Sequence, residues 1–196
     1  MSAKLSNDSL EQLFTKARTH NGWRDEEVPD SLLREAVDIA KWGPTSANCS
    51  PMRVLFLRSQ EAKQRLAPAL IPGNLAKTMA APAVAIVAYD LKFYEHLPQL
   101  YPATDARSWF VGNAPLIEET AFRNGTLQGA YLLLALRSVG LDVGPMSGFD
   151  KKMVDAEFFP EGTVKSNFLV NIGYGDPARL YPRGPRFGFE EIALIL

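Results

Sequence analysis

Residues 42–56 read Trp42-Gly-Pro-Thr-Ser-Ala-Asn-Cys-Ser-Pro-Met-Arg-Val-Leu-Phe56, and the rest of the chain can be interpreted around them. Gly43 and Pro44 predict the end of a helix, and the run 54–56 after Pro51 predicts a strand. The loop between these elements carries four polar side chains, namely Thr45, Ser46, Asn48 and Ser50. Their hydrogen-bond donors and acceptors suit a planar heterocycle edged with carbonyls and ring nitrogens. A well-capped turn explains the same residues, because Ser, Asn and Pro favour turns for local reasons.

The composition is that of an ordinary globular protein. The chain has 196 residues, the length of one domain, with 46% hydrophobic and 22% charged residues. Lys and Arg number 21 against 22 Asp and Glu, so the net charge gives no reason to expect binding to nucleic acid or to an anionic membrane. The sequence shows neither an apolar run of about 20 residues nor the apolar core of a signal peptide, and we expect a cytoplasmic protein. One Cys and two His are too few for the usual zinc spacings, so no metal is expected.

Hydrophobic periodicity predicts both helices and strands. Helices are expected at 9–18, from an N-cap at 28–30 up to Gly43, from Ser59 to Arg65, and at 118–139. Strands are expected at 54–57, 82–89 and 168–172. These elements do not alternate as regular strand-helix-strand units, and no internal repeat is visible. The pattern therefore favours an α+β fold, in one domain over residues 1–196, rather than a doubly wound sheet.

Two segments between these elements invite functional interpretation. Residues 91–113 are irregular and mix aromatic and polar side chains, which is typical of a functional lid, although a decorated surface is the alternative. The helix at 118–139 is apolar nearly all round between residues 127 and 136. Such a helix lies in a core or at a subunit interface, and because one domain has little surface to cover it, we expect a homodimer.

Glycines and arginines near the end of the chain suggest a further binding site. Gly144 and Gly148 leave room for backbone N–H groups to approach a ring closely. Arg183 and Arg186 stand among two Pro and a Gly, on a stiff backbone suited to bidentate phosphate recognition. Near the start of the chain, Arg18 and its neighbours could add charge-assisted hydrogen bonds to a phosphate, or Arg18 could be a solvated residue at a helix C-terminus.

The pattern Pro44-Thr-Ser-Ala-Asn48-Cys-Ser-Pro51 resembles the flavin-contacting motif of the FMN-dependent nitroreductase family, Pro-Ser-Ser-x-Asn-x-Gln-Pro-Trp. Ser50 replaces the usual Gln, and Met52 replaces the usual Trp. The resemblance extends over nearly the whole chain, most clearly at residues 17–23, 41–51, 105–110, 144–150 and 165–176. Within the family the chain is similar to the malonic semialdehyde reductases of pyrimidine degradation.

The resemblance implies a nitroreductase-like fold, with a central, mostly antiparallel sheet flanked by helices, and a homodimer with flavin sites along the 118–139 helix. It implies FMN as cofactor and NADH or NADPH as a transient reductant. Arg18 matches the family's first phosphate-binding arginine, Asn21 replaces its second, and Ser147 stands where Glu is common. The implied FMN contacts are Arg18, Thr19, Asn21, Thr45, Ser46, Asn48, Ser50, Pro145, Met146, Ser147, Gly148, Arg183 and Arg186.

Several motifs that mark common classes of enzyme are absent from the sequence. The sequence has no Gly-x-Gly-x-x-Gly, no P-loop and no Gly-x-Ser-x-Gly, so a Rossmann cofactor site, an ATP site and an esterase nucleophile are not indicated. A bound flavin would still support an oxidoreductase. The resemblance implies reduction of malonic semialdehyde to 3-hydroxypropionate. A broad nitroreductase or quinone reductase and a flavin-binding protein without turnover are the alternatives. Arg107 is the expected partner of the substrate carboxylate, or a surface arginine.

Overall fold

The computed structural model describes residues 3–196 and centres on a four-stranded antiparallel sheet of order β1-β2-β4-β3. The strands are β1, Met52–Leu57; β2, Ala83–Asp90; β3, Asp142–Met146; and β4, Val164–Gly173. All three neighbouring pairs run antiparallel. The predicted α+β fold with a mostly antiparallel sheet is confirmed.

Burial explains the central strand β2 fully and the central strand β4 only in part. Every residue of β2 is buried, as its unbroken apolar run predicts. The predicted strand at 168–172 is too short, because β4 begins at Val164. Ser166 pairs with Ala88 and Lys165 with Tyr89, with a bulge that leaves Asn167 between the paired residues. Backbone pairing to β2 therefore extends the strand into a segment whose side chains gave no strand signal.

Eight α-helices surround the sheet in the described part of the chain. They are α1, Asn7–Leu10; α2, Asp30–Ala40; α3, Gln60–Leu66; α4, Pro72–Ala80; α5, Leu97–Leu100; α6, Ala114–Ser138; α7, Lys151–Phe158; and α8, Phe189–Ile192. Ser59 caps α3 as predicted, since its side chain accepts from the Ala62 N–H. α4, α5, α7 and α8 were not predicted.

Several helix boundaries differ from the prediction; α6, for example, begins at Ala114 rather than at residue 118. The first helix is α1 followed by a π-helical turn, Glu11–Thr15, so it ends before residue 18. Asp30 is the first residue of α2 rather than its cap, and its carboxylate pairs with Arg58 instead. The local pattern assigned the Asp30 side chain to capping, but in the structure this side chain forms an ion pair with Arg58.

The sheet lies between two helical layers. Side chains along each strand point alternately to the two faces, so each face presents apolar residues to one layer of helices. On one face Ala85 and Val87 pack with buried residues of α2 and α6. On the other face Val84 and Ile86 pack with buried residues of α3 and α7. Among residues 3–196, no helix has the length and apolar character needed to cross a membrane.

Residues 91–113 are not an irregular loop throughout. They contain the short helical turns Phe93–His96 and Ala106–Trp109 as well as α5. Phe93 and Leu97 are fully buried and Phe110 nearly so, in a third apolar cluster with Cys49. The lid expected at 91–113 stays a prediction, and the large apolar side chains exposed in this segment, Trp109 and Val111, lie near its end.

Candidate functional site

Four arginines line one cavity of about 660 Å³ between the N-terminal segment and residues 181–186. The cavity brings together residues predicted from opposite ends of the chain, namely Arg18, Thr19, Asn21, Arg183 and Arg186. It adds Arg137, which the sequence did not point to. This concentration of positive charge favours an anionic ligand.

Hydrogen bonds between the N-terminal segment and the C-terminal segment hold Arg18 and Arg183 in place. Arg18 donates to the Tyr181 carbonyl. In return, Arg183 Nη2 donates to the carbonyls of Thr15 at 2.9 Å and Ala17 at 3.1 Å. Arg186 Nη1 bonds locally, to the carbonyls of residues 184 and 185. A guanidinium has five N–H donors, so each of these three arginines keeps donors for a ligand.

Arg137 reaches the cavity from the last turn of α6. Its Nη1 donates to the Leu13 carbonyl at 3.2 Å, and its own carbonyl accepts from the Gln12 side chain at 2.7 Å. Burial lowers the pKa of Arg137. In the sequence it is one arginine at the end of a long helix, where it is expected to interact with the helix dipole, so no local signal marks it as a site residue.

α4 links the cavity to residues 145–148. Lys77 Nζ donates to Asn21 Oδ1 at 3.1 Å, and one turn earlier Asn74 Nδ2 donates to the Gly148 carbonyl at 2.9 Å. Burial lowers the pKa of Lys77. Sequence reasoning missed both residues. Their i, i+3 spacing puts them on one face of a helix, but the helix itself was not predicted.

The segment that carries Gly144 and Gly148 begins as a strand, since residues 143–146 belong to β3. Pro145 and Met146 belong to β3, an outer strand of the sheet, where a proline is tolerated. The Met146 side chain is buried and its sulfur lies 3.7 Å from the Thr78 hydroxyl. Ser147 and Gly148 follow the strand, and these two residues with Pro145 and Met146 form one continuous stretch beside α4.

Gly144 and Gly148 also have neighbours within the protein that limit the size of a side chain. A Cβ on Gly144 would lie 2.4 Å from the His20 carbonyl oxygen. A Cβ on Gly148 would lie 2.4 Å from Ile71 Cδ1 and 2.7 Å from Asn74 Nδ2. Both glycines therefore allow close packing within the protein itself. At Gly144 the close atom is a backbone oxygen, so this glycine has a structural reason of its own, and the approach of backbone N–H groups to a ring stays a prediction.

The loop 45–50 has an unusual backbone. Ala47, Asn48 and Ser50 have φ of 48°, 50° and 39°, in the left-handed region that residues with a Cβ disfavour. Thr45 Oγ1 accepts from the Ser50 N–H at 3.1 Å, and Asn48 Nδ2 donates to the Leu100 carbonyl at 2.8 Å. The turn interpretation is thus correct for part of the loop, since these side chains already stabilise its shape. Cys49 points inward, and burial raises its pKa to about 11.

Two side chains of α6 accept hydrogen bonds from backbone N–H groups at the start of the loop 45–50 and just after its end. The Ser46 N–H donates to Asn124 Oδ1, and the Met52 N–H donates to Gln128 Oε1, each at 2.9 Å. Both amide side chains are buried. The exposed side of α6 instead carries large apolar side chains, namely Phe122, Leu127 and Tyr131. α6 therefore buries two amide side chains among its inward apolar residues and exposes several large apolar ones.

Within one chain the two parts of the predicted site lie apart. The loop 45–50 leads into β1 and residues 145–148 lead out of β3, and these are the two outer strands. Three strand spacings separate them, which is about 14 Å. No residue of the loop lines the four-arginine cavity. A single chain does not bring Thr45, Ser46, Asn48 or Ser50 to Arg18, Arg183 and Arg186.

Arg107 lies outside the cavity as well. Its guanidinium makes a two-pronged ion pair with Glu95, with Nε to Oε2 at 2.7 Å and Nη2 to Oε1 at 2.9 Å. It also lies over the Tyr94 ring, 6.0 Å from the centroid. The hydrogen bonds from Arg107 lower the pKa of Glu95. The expected substrate arginine thus has a carboxylate partner within its own chain.

Comparison with known proteins identifies relatives of the whole chain. Residues 15–174 match the family model "Nitroreductase family". A Burkholderia lata protein with the provisional name NADH dehydrogenase/NAD(P)H nitroreductase is 63% identical over 191 residues, covering 97% of this chain and 98% of that protein.

Two solved structures share the fold. One is a provisionally described nitroreductase from Exiguobacterium sibiricum in complex with FMN, with a TM-score of 0.85, 20% identity, and 100% of each chain covered. The other is a provisionally described NAD(P)H:FMN oxidoreductase from Staphylococcus epidermidis, with a TM-score of 0.84 and 18% identity, covering 100% of this chain and 99% of that one. At these identities the likeness establishes the fold.

Proposed function

We propose a function from one premise: the chain belongs to the nitroreductase family, a family of oxidoreductases. The proposed activity is that of an FMN-dependent oxidoreductase that takes its electrons from NADH or NADPH. The observation that carries this proposal is the cavity in which Arg18, Arg137, Arg183 and Arg186 converge. The names of the relatives, which mention NAD(P)H and FMN, support the same chemistry.

The residues of the cavity fit the phosphate end of FMN. A phosphate monoester carries close to two negative charges at neutral pH and has three strong acceptor oxygens. Arginine forks match such a group in two-pronged geometry. Arg18 and Arg183 are already held by backbone carbonyls, so little side-chain freedom would be lost on binding. Thr19 and Asn21 add a hydroxyl and an amide to the same wall.

The ring of FMN is proposed to lie along α4 and residues 145–148. Lys77 and Asn74 connect the cavity to Gly148, so a ligand that extends from the arginines would meet them next. Bound FMN would supply hydride transfer, and the protein would supply orientation, hydrogen bonds and exclusion of water. No group of three or more His, Cys, Asp or Glu side chains suited to a metal ion occurs among residues 3–196.

A homodimer is proposed to complete the site. Phe122, Leu127 and Tyr131 of α6 are 46%, 42% and 37% exposed, and Trp42, just before the loop 45–50, is 82% exposed. Exposed apolar side chains of this size are typical of an interface. Because the loop and the cavity lie at opposite edges of one sheet, pairing of two chains through this surface would let the loop of one protomer contact the flavin of its partner.

The proposed substrate is malonic semialdehyde, reduced to 3-hydroxypropionate. This proposal rests on the sequence resemblance, and the substrate's carboxylate needs a cation for orientation. Arg107 could serve only if Glu95 releases it. That ion pair favours a second candidate, a broad nitroreductase or quinone reductase, which needs no carboxylate partner. The name of the Burkholderia lata relative points in the same direction.

One comparison of rates separates these functions. Purified protein loaded with FMN is supplied with NADH or NADPH, and nucleotide oxidation is followed with malonic semialdehyde, a nitroaromatic or a quinone as acceptor. Faster turnover of malonic semialdehyde supports the first proposal, and faster turnover of the flat aromatic acceptors supports the second. Absence of turnover with every acceptor would contradict both and favour a flavin-binding protein.

A further inference from the structure

Two buried amides of α6 clamp both ends of the loop 45–50. Asn124 Oδ1 accepts from the Ser46 N–H at the start of the loop, and Gln128 Oε1 accepts from the Met52 N–H just after its end. Asn124 and Gln128 are four residues apart, so they lie on the same face of the helix. Asn124 Nδ2 also donates to the Thr120 carbonyl at 2.9 Å, which fixes the orientation of its amide.

The loop needs such support because of its backbone. Ala47, Asn48 and Ser50 all have positive φ although each carries a Cβ, and strained conformations of this kind persist only where neighbouring groups hold them. Within the loop, Thr45 supplies one hydrogen bond to Ser50. Asn48 Nδ2 donates to the Leu100 carbonyl and Arg53 Nη1 donates to the Ser50 carbonyl at 3.2 Å. α6 adds the two hydrogen bonds to the N–H groups of Ser46 and Met52.

We propose that Asn124 and Gln128 are positioning residues for flavin binding: they hold the loop 45–50 in the single conformation that contacts the flavin ring. This inference rests on the proposed function. Affinity falls in proportion to the fraction of molecules in the binding-competent conformation. A loop released at one end would populate several conformations, and FMN would bind more weakly although no direct contact to it had been removed.

The experiment compares variants of these amides that differ in acceptor capacity. Gln128→Met keeps the length of the side chain but removes the amide oxygen and leaves only a weakly accepting sulfur, whereas Gln128→Glu keeps an acceptor oxygen whether or not the carboxyl is protonated. Asn124→Leu removes the other clamp and serves if Gln128→Met does not fold. Asn113→Ala is the matched control, because it removes the N-cap of the same helix, to which the Leu116 N–H donates, without touching the loop.

The readouts are the Kd for FMN, from quenching of flavin fluorescence, and the visible absorption spectrum of the bound flavin. We expect Gln128→Met and Asn124→Leu to raise the Kd about tenfold and to alter the spectrum. Gln128→Glu and Asn113→Ala should bind like the wild type. A wild-type Kd and spectrum in both Gln128→Met and Asn124→Leu would overturn the inference, as would a Gln128→Glu variant as weak as Gln128→Met. Wild-type protein that takes up no FMN would overturn the proposed function, and the inference with it.

Discussion

Arg183 donates a hydrogen bond from Nη2 to the backbone carbonyl of Ala17 at 3.1 Å, which ties the C-terminal segment to the residue before Arg18. Arg18 returns the connection through the Tyr181 carbonyl. Two arginines from opposite ends of the chain are therefore oriented toward one cavity before any ligand arrives. Preorganisation of this kind increases the affinity for an anion, because the side chains need not be ordered on binding.

Arg186 gives the cleanest test of the phosphate site, because within residues 3–196 it hydrogen-bonds only to the carbonyls of residues 184 and 185. We expect Arg186→Ala to raise the Kd for FMN by about ten- to a hundredfold, the effect of losing a charge-assisted hydrogen bond of roughly 1.5 to 3 kcal/mol. The free energy of unfolding should change by less than about 0.5 kcal/mol. Fluorescence titration and denaturant unfolding measure the two quantities.

The control for Arg186 is Arg65→Ala, which removes an exposed arginine paired with Glu157 far from the cavity. This variant should bind FMN like the wild type. If Arg183→Ala and Arg186→Ala both keep the wild-type Kd, these two arginines do not contact the cofactor.

Substitutions that break the ion pair between Arg107 and Glu95 test whether Arg107 binds the carboxylate of malonic semialdehyde. If Arg107 binds the substrate carboxylate, Arg107→Ala should lower kcat/KM for malonic semialdehyde by about 10- to 100-fold and leave quinone reduction largely unchanged. Glu95→Gln, which frees the guanidinium, should then leave this kcat/KM unchanged or raise it. Equal losses on both substrates in Arg107→Ala would indicate a role in the fold or in flavin binding, and no loss would place Arg107 outside the pocket.

The exposed face of α6 predicts the oligomeric state. We expect a homodimer at micromolar concentration in sedimentation velocity. Leu127→Asp should shift the population toward monomer, because a buried unpaired carboxylate at an interface is strongly unfavourable. Met153→Asp on α7, a substitution at a similarly exposed apolar residue, is the matched control and should remain dimeric. A well-folded wild-type monomer that binds FMN would contradict the shared site.

His20 predicts a loss of stability in mild acid. The ring is buried, its Nδ1 has no hydrogen-bond partner in the described residues, and Nε2 lies 3.4 Å from Asp142 Oδ1. Burial lowers its pKa below the ordinary 6.5, and the nearby Asp142 offsets this only in part. Because the unfolded chain then binds the proton more tightly, the stabilising effect is complete above pH 6.5 and is lost as the pH falls below it.

We therefore expect the free energy of unfolding of the wild type to decrease between about pH 7 and 5, and the decrease to be smaller in His20→Gln. Urea denaturation at several pH values measures both curves. Parallel curves for the two proteins would show that His20 does not control this dependence.

Much of the fold could be predicted where local pattern and tertiary structure agree. β2 is buried on both faces, so its apolar run is unbroken, and the predicted 82–89 differs from Ala83–Asp90 by one residue at each end. Ser59 signals α3 through a cap that needs only neighbouring residues. β3 gives no such signal, because a strand containing Gly144 and Pro145 owes its conformation to pairing with β4.

The residues of the candidate site could be predicted in part, from the family resemblance. Arg18, Thr19, Asn21, Arg183 and Arg186 do meet in one cavity, as the family resemblance implies. Arg137 could not be found this way, since its position depends on how the end of α6 meets the N-terminal segment. Nor does periodicity reveal that Asn124 and Gln128 face inward, because polar side chains are ordinarily expected on the exposed side of a helix.

The central claim is most directly tested by measuring flavin content and its reduction. Protein incubated with FMN and freed of unbound cofactor by gel filtration should retain one FMN per chain. Anaerobic addition of NADH or NADPH should then bleach the visible absorbance of that flavin. Protein that leaves the column colourless, or that holds FMN which neither nucleotide bleaches, would contradict the assignment as an FMN-dependent NAD(P)H oxidoreductase.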